Sequence, residues 1–199
     1  MSERSTQDYR KYYDNFENIG NGAYGCVYKG RDKETGEFRA IKVMKFDEIK
    51  QNLLMEYDVT ELEEHFQSCI DSFIKEFENM NVCSNNNPNS VKCYEYFKTN
   101  ENFVIVMELC DTNLSKLLTD KIIKDKKGFN EEEIFEILIQ LNNTFKIMIA
   151  NNIIHRDLKL ENILIKYNNE EKYNYTIKLT DYGSSKRLSS LSRNFLIQM

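Results

Sequence analysis

In the stretch "IIHRDLKLENILI" (residues 153–165), His155, Arg156, Asp157, Lys159 and Asn162 crowd into eight positions between runs of Ile and Leu. A second carboxylate, Asp181 in "LTDYGSS", follows an apolar run and precedes Tyr182 and a single glycine, Gly183. An Asp-Tyr-Gly sequence also fits a plain turn. A carboxylate at a strand end is well placed to hold Mg²⁺, which takes few protein ligands and keeps water and phosphate oxygens. Asn162 can add a second oxygen ligand. Asp157 is then left to accept a proton, with Lys159 two residues on to stabilise negative charge. One carboxylate on a metal and another as base is what phosphoryl transfer to a hydroxyl needs. His155 reads as structural, its ring bonded to nearby backbone.

Two further groups suit the same chemistry. "IGNGAYGCV" (residues 19–27) fits G-x-G-x-x-G-x-V. Glycines in a hairpin are often only turns, but bare backbone can also approach phosphate oxygens with N–H groups facing them. A dinucleotide-binding reading needs the third glycine to open a helix, and Cys26, Val27 and Tyr28 look like strand. Lys42 lies in the middle of the apolar run "FRAIKVMKF". It either snorkels to solvent or needs an anion, a phosphate or a glutamate. Glu76 is favoured as that glutamate, at the edge of an apolar helical stripe; Glu78 competes.

The positioning elements follow from periodicity. Alternating apolar residues predict strand, glycine loop and strand, then a turn at "KETGE" and a third strand over 38–46. Leu62, Phe66, Cys69, Ile70, Phe73, Phe77 and Met80 recur at steps of three and four, which predicts a long helix. Thr60 and Glu63 fit a capping box for it. Turn formers at 84–90 end it, and two more strands follow over 91–97 and 103–109. "CDTNLSKLL" begins a short helix, with "DKIIKDKKG" read as a charged loop. A second long helix is predicted from about Glu131 to Ala150, capped by Asn130 and Glu133. It is apolar nearly all round, so burial on nearly all sides is expected. Short strands at 163–165 and 175–179 flank the polar loop "KYNNEEKYN".

Composition bounds the rest. The 199 residues are 41% hydrophobic and 30% charged, a soluble globular balance. A net charge of −5 gives no global case for nucleic-acid binding. No segment offers the roughly 18 apolar residues that span a bilayer, and the polar start lacks the apolar core of a signal peptide. Cys26, Cys69, Cys83, Cys93 and Cys110 form no C-x-x-C pair and no cluster with His. That argues against a disulfide framework or a zinc site and for reduced thiols. A cytoplasmic or nuclear protein is expected.

Taken together, the motifs resemble those of eukaryotic protein kinases. The resemblance rests on Gly20-Asn21-Gly22-Ala23-Tyr24-Gly25-Cys26-Val27, on Lys42 in "RAIK", on His155-Arg156-Asp157-Leu158-Lys159-Leu160-Glu161-Asn162 and on Asp181-Tyr182-Gly183, in that order. It covers about Tyr13 to the C-terminus, and Lys159 resembles the serine/threonine branch. It implies an α+β, two-lobed fold: an N-terminal extension (1–12), a small lobe with an antiparallel sheet, glycine-rich loop and long helix (13–110) and only the first part of a helical large lobe, with the catalytic loop and the start of the activation segment (111–199). It implies ATP and Mg²⁺, with a protein substrate bearing a Ser or Thr acceptor. Asp157 would deprotonate that hydroxyl, assisted by Lys159. Ile19 and the glycine loop would cover the nucleotide, Lys42 paired with Glu76 would hold the α/β-phosphates, and Asn162 and Asp181 would hold Mg²⁺. Val27 and Ala40 would line the adenine pocket. Met107 resembles the gatekeeper, with Glu108 to Cys110 as the hinge. Arg156 resembles the arginine of kinases switched by phosphorylation, with Ser184, Ser185, Ser189, Ser190 and Ser192 in the segment concerned.

The chain departs from the family pattern in places. Tyr182 replaces the usual Phe, for which a mild effect is expected. Arg39 replaces the usual Val and is expected to point to solvent. Lys42 and Glu76 are far apart in sequence, so the helix is extended at its start or an insertion lies near 47–58. The A-P-E motif and later large-lobe helices are absent, as in a kinase cut inside its activation segment. The alternative function is therefore a catalytically weak fragment that binds nucleotide, or a partner that covers the wide apolar helix.

Overall fold

The computed structural model describes residues 6–22, 25–168 and 174–188. It divides into two compact units: residues up to Phe77 with Cys93–Leu109, and Glu78–Lys92 with the chain from Cys110 onward. Residues 78–92, which precede the division at Cys110 read from the sequence, group with the second unit.

The first unit is built on strands β1 (Tyr13–Gly22), β2 (Gly25–Asp32), β3 (Phe38–Lys45), β4 (Cys93–Lys98) and β5 (Asn102–Glu108). All neighbours are antiparallel, in the order β1-β2-β3-β5-β4. β5 is buried from Asn102 to Met107, as a continuous apolar run in a central strand should be. On one side of the sheet Tyr13, Ile41, Val43, Phe97, Val104 and Val106 form a core. Tyr12 stacks on Phe97 at 5.7 Å there, so the chain before β1 packs on the sheet.

The long spacing between Lys42 and Glu76 is filled by a helix that the strand pattern hid. α1 (Phe46–Leu53) starts directly after β3 and takes Phe46, expected as the strand's last residue. Phe46 and Ile49 are buried, and the Phe46 ring meets Phe66 edge-on at 5.3 Å. α2 (Val59–Ser84) follows. It begins at Val59, so Thr60 lies inside its first turn and not at the cap. Within the first unit α2 buries Phe66, Ile70 and Phe73, and Phe73 packs edge-on against Phe103 of β5 at 5.2 Å.

The second unit contains β6 (Thr112–Asn113), α3 (Leu114–Asp125), α4 (Glu131–Ala150), β7 (Ile153–Ile154), β8 (Ile163–Tyr167), β9 (Tyr175–Leu179) and β10 (Lys186–Arg187). Strands pair as β6-β8-β9 and as β10-β7. α3 runs on to Asp125, through most of the expected charged loop. Leu114, Leu117 and Lys121 point inward at helical spacing, and the Lys121 ammonium pairs with Glu133. The Asn130/Glu133 capping box of α4 is formed in both directions.

α4 departs from the expected all-round burial. Ile137, Leu141, Thr144 and Met148 are buried, whereas Ile134, Phe135, Leu138, Ile139 and Ile149 are 45–67% exposed. The covered side is also partly polar. Thr144 Oγ1 donates to the Asn89 carbonyl at 2.7 Å and accepts from Asn87 at 3.0 Å, and Asn89 donates to the Ile177 carbonyl at 3.0 Å. These bonds satisfy the turn after α2, whose backbone would otherwise be buried without partners.

Candidate active site

In the first unit the glycine hairpin is tight: Gly20 opposes Val27, Asn21 opposes Cys26 and Gly22 opposes Gly25. Ala23 and Tyr24, expected to touch nucleotide, lie outside the described residues. Gly25 has φ +155, and a Cβ there would lie 2.0 Å from the Val43 carbonyl oxygen. Only glycine lets β2 run this close to β3.

Register explains how the remaining residues share one sheet face. Val27 and Ile105 flank Lys42, and Ala40 opposes Met107. Directly opposed residues share a face, as do residues two apart. Val27, Ala40, Lys42 and Met107, all expected around nucleotide, therefore project from the same side. Glu108 closes β5, and Leu109 and Cys110 follow it.

Lys42 does not snorkel to solvent. Its ammonium lies 2.6 and 2.7 Å from the two carboxylate oxygens of Glu76 and 5.3 Å from the Phe73 ring centre. Glu76 is 3% exposed, and Glu78 lies on the exposed side of the helix. Glu76 is buried and Lys42 partly covered, so removing the lysine leaves a buried carboxylate uncompensated, at a cost of up to about 3–5 kcal/mol. Arg39 corrects another expectation. It is largely covered, pairs with Glu37 and lies 4.1 Å from the Tyr94 ring centre.

In the second unit the polar loop joins β7 to a 3-10 turn at Leu160–Asn162 and then β8. Asp157 Oδ2 accepts from Lys159 Nζ at 2.7 Å and from Asn162 Nδ2 at 3.0 Å. The Lys159 hydrogen bond is the main cause that holds the Asp157 carboxyl below its ordinary range, with Asn162 adding to it. Asp157 is thus an ionised acceptor at neutral pH. Its partner raises the Lys159 ammonium in turn. Asn162 Nδ2 also donates to the Asp157 carbonyl at 2.9 Å, which turns the amide oxygen to the opposite edge.

The same unit holds Asp181 just beyond β9. Thr180 N–H donates to the Asn162 carbonyl at 3.0 Å, which ties the two oxygen donors together through backbone. His155 is buried, and its Nε2 lies 3.0 Å from the Thr180 carbonyl, the backbone-bonded role expected of it. Burial pushes the imidazole down. Among the described residues no group hydrogen-bonds the buried Nδ1; desolvation is the leading cause of the shift and outweighs the nearby Asp181 and Asp157 charges, which act the other way.

The Tyr182 ring is fully buried, 5.2 Å from the His155 ring centre, and its hydroxyl lies 2.9 Å from Ser90 Oγ. The Arg156 guanidinium donates to the Ser184 carbonyl at 2.6 Å. Ser184 is exposed and Ser185 buried; Ser189, Ser190 and Ser192 lie outside the described residues. Sequence reasoning passed over Asn79, which binds Ser185 at 2.8 Å. Its signal was an amide one turn beyond Glu76, beside the buried Met80.

A protein kinase domain model matches residues 13–197. The chain is 32% identical over 165 residues to calcium-dependent protein kinase 5 of Plasmodium falciparum (isolate 3D7), covering 83% of this chain and 24% of that protein. It is 36% identical over 169 residues to Aurora kinase of Saccharomyces cerevisiae, covering 84% and 38%. It is 28% identical over 180 residues to the probable serine/threonine-protein kinase pXi of Dictyostelium discoideum, covering 90% and 22%. The chain belongs to the eukaryotic protein kinase family. It spans less than two fifths of the length of each of these relatives. The family span and the relatives do not favour the reading as a catalytically weak fragment.

Proposed function

We propose that this protein transfers the γ-phosphate of ATP to serine or threonine hydroxyls of protein substrates. The observation that carries the reading is the Asp157 carboxylate, ionised and held between Lys159 and Asn162. Asp157 orients the acceptor hydroxyl and takes its proton as the phosphoryl bond forms. Lys159, 2.7 Å away, is within reach of negative charge that develops beside the base. The glycine hairpin and Lys42 hold phosphate oxygens, and Glu76 fixes the lysine. The adenine-side contacts are Ile19, Val27, Ala40, Met107 and the backbone of 108–110.

Mg²⁺ fits the residues present. Asn162 and Asp181 offer hard oxygen donors, as suits a cation that keeps water and phosphate among its ligands. When bound it neutralises charge on the transferred group. The exposed apolar side of α4 supports a partner surface that covers it. The five free thiols support a reducing compartment, cytoplasmic or nuclear. No described helix is long and apolar enough to cross a membrane.

The test uses purified chain with labelled ATP, Mg²⁺ and a mixed peptide pool. Phosphate should appear on serine and threonine, and Asp157→Asn should lower the rate by about 10²- to 10⁴-fold. Labelling that survives Asp157→Asn, or that falls on tyrosine, overturns the reading.

A further inference from the structure

Asp181 holds a left-handed backbone with φ 63. That conformation is unfavourable for a residue with a side chain, less so for Asp than for most, and it persists where the neighbours fix it. On the N-terminal side Thr180 is fixed by its bonds to Asn162 and His155. On the C-terminal side Tyr182 is fixed at both ends. Its hydroxyl meets Ser90, and its carbonyl accepts two bonds from Ser185. One comes from the Ser185 backbone N–H at 2.9 Å and the other from the Ser185 hydroxyl. That hydroxyl accepts in turn from Asn79 Nδ2 at 2.8 Å, and Asn79 Oδ1 accepts from Arg187 Nε at 2.7 Å.

Asn79 is 3% exposed and Ser185 9%. A half-satisfied buried polar network is costly, whereas a fully bonded one rigidifies its surroundings. This network is complete, and its far end is the carbonyl one residue after Asp181. We infer that Ser185, oriented by Asn79, is a positioning residue that closes the turn aiming the Asp181 carboxylate at the metal. The inference rests on the kinase reading of Asp181. It also commits the Ser185 hydroxyl to the interior, which removes it from the serines open to phosphorylation.

The test measures binding of a non-hydrolysable ATP analogue to the full chain by calorimetry, with Mg²⁺ and with the metal chelated, alongside thermal melting. Ser185→Ala and Asn79→Ala should weaken binding with Mg²⁺ roughly tenfold or more. Metal-free affinity should stay within about twofold, the loss being confined to the metal, and Ser185→Thr should retain the wild-type metal response. If Ser185→Ala keeps that response, the positioning role falls and the kinase reading stands. If both alanine variants lose metal-free affinity equally, their effect is on folding and the inference is overturned. A wild-type chain that ignores Mg²⁺ overturns the inference together with the kinase reading.

Discussion

Asp157 has two hydrogen-bond donors on one oxygen, and they are not equal. Lys159 brings a full charge at 2.7 Å and Asn162 a neutral amide at 3.0 Å. A charged donor favours the carboxylate over the neutral acid more strongly. Because its folded value is depressed, Asp157 stays ionised through the ordinary carboxylate range as pH falls, and takes up its proton only below that range. Lys159→Met should therefore move the Asp157 carboxyl titration, followed by carbon NMR, to higher pH. Asn162→Ala should move it less. An equal or larger shift for Asn162→Ala would show that charge is not the leading cause. At this scale the sequence was informative, since the loop motif already placed Asp157, Lys159 and Asn162 together. It could not show Arg39 over Tyr94, because contacts between strands depend on register that residue types do not display.

Among the elements, the glycine hairpin offers the sharpest contrast. A Cβ at Gly25 would strike the Val43 carbonyl at 2.0 Å, whereas one at Gly20 would meet only Val27 Cβ at 3.9 Å. Gly25→Ala should cost at least about 2 kcal/mol, roughly 4–8 °C in melting temperature for a chain of this size. Gly20→Ala should cost less than about 1 kcal/mol. Calorimetric melting of both variants checks the difference, and equal losses would remove the steric account. β1 to β5, β8, β9 and α4 were legible from period and, for α4, capping residues; β6, β7 and β10 have two residues each and are too short to show a period. α1 was not, since its eight residues follow a strand without a break. The length of α3 was hidden by lysines, one of which is buried against Glu133. Asn79 and Ser185 are 106 positions apart, and no local pattern links them.

For the whole molecule, α4 sets the solution behaviour. Phe135 at 57% and Ile139 at 59% exposure, with Ile134 and Leu138 nearby, make an apolar surface of the kind that drives association. Phe135→Lys combined with Ile139→Glu should reduce concentration-dependent sedimentation and leave the melting temperature nearly unchanged. A melting temperature that collapses would mean that these side chains are core.

The second unit is assembled from two stretches of chain with Cys93–Leu109 of the first unit between them. During synthesis its opening stretch, with Asn79, Asn87, Asn89 and Ser90, leaves the ribosome long before Thr144, Ile177 and Ser185 exist. At roughly 5–20 residues per second, the 106 positions from Asn79 to Ser185 take about 5–20 s. Through that interval the end of α2 and the turn after it must remain hydrated and open. The nascent chain can complete its first sheet while the seat of Asp157 and Asp181 is still waiting for its last strands.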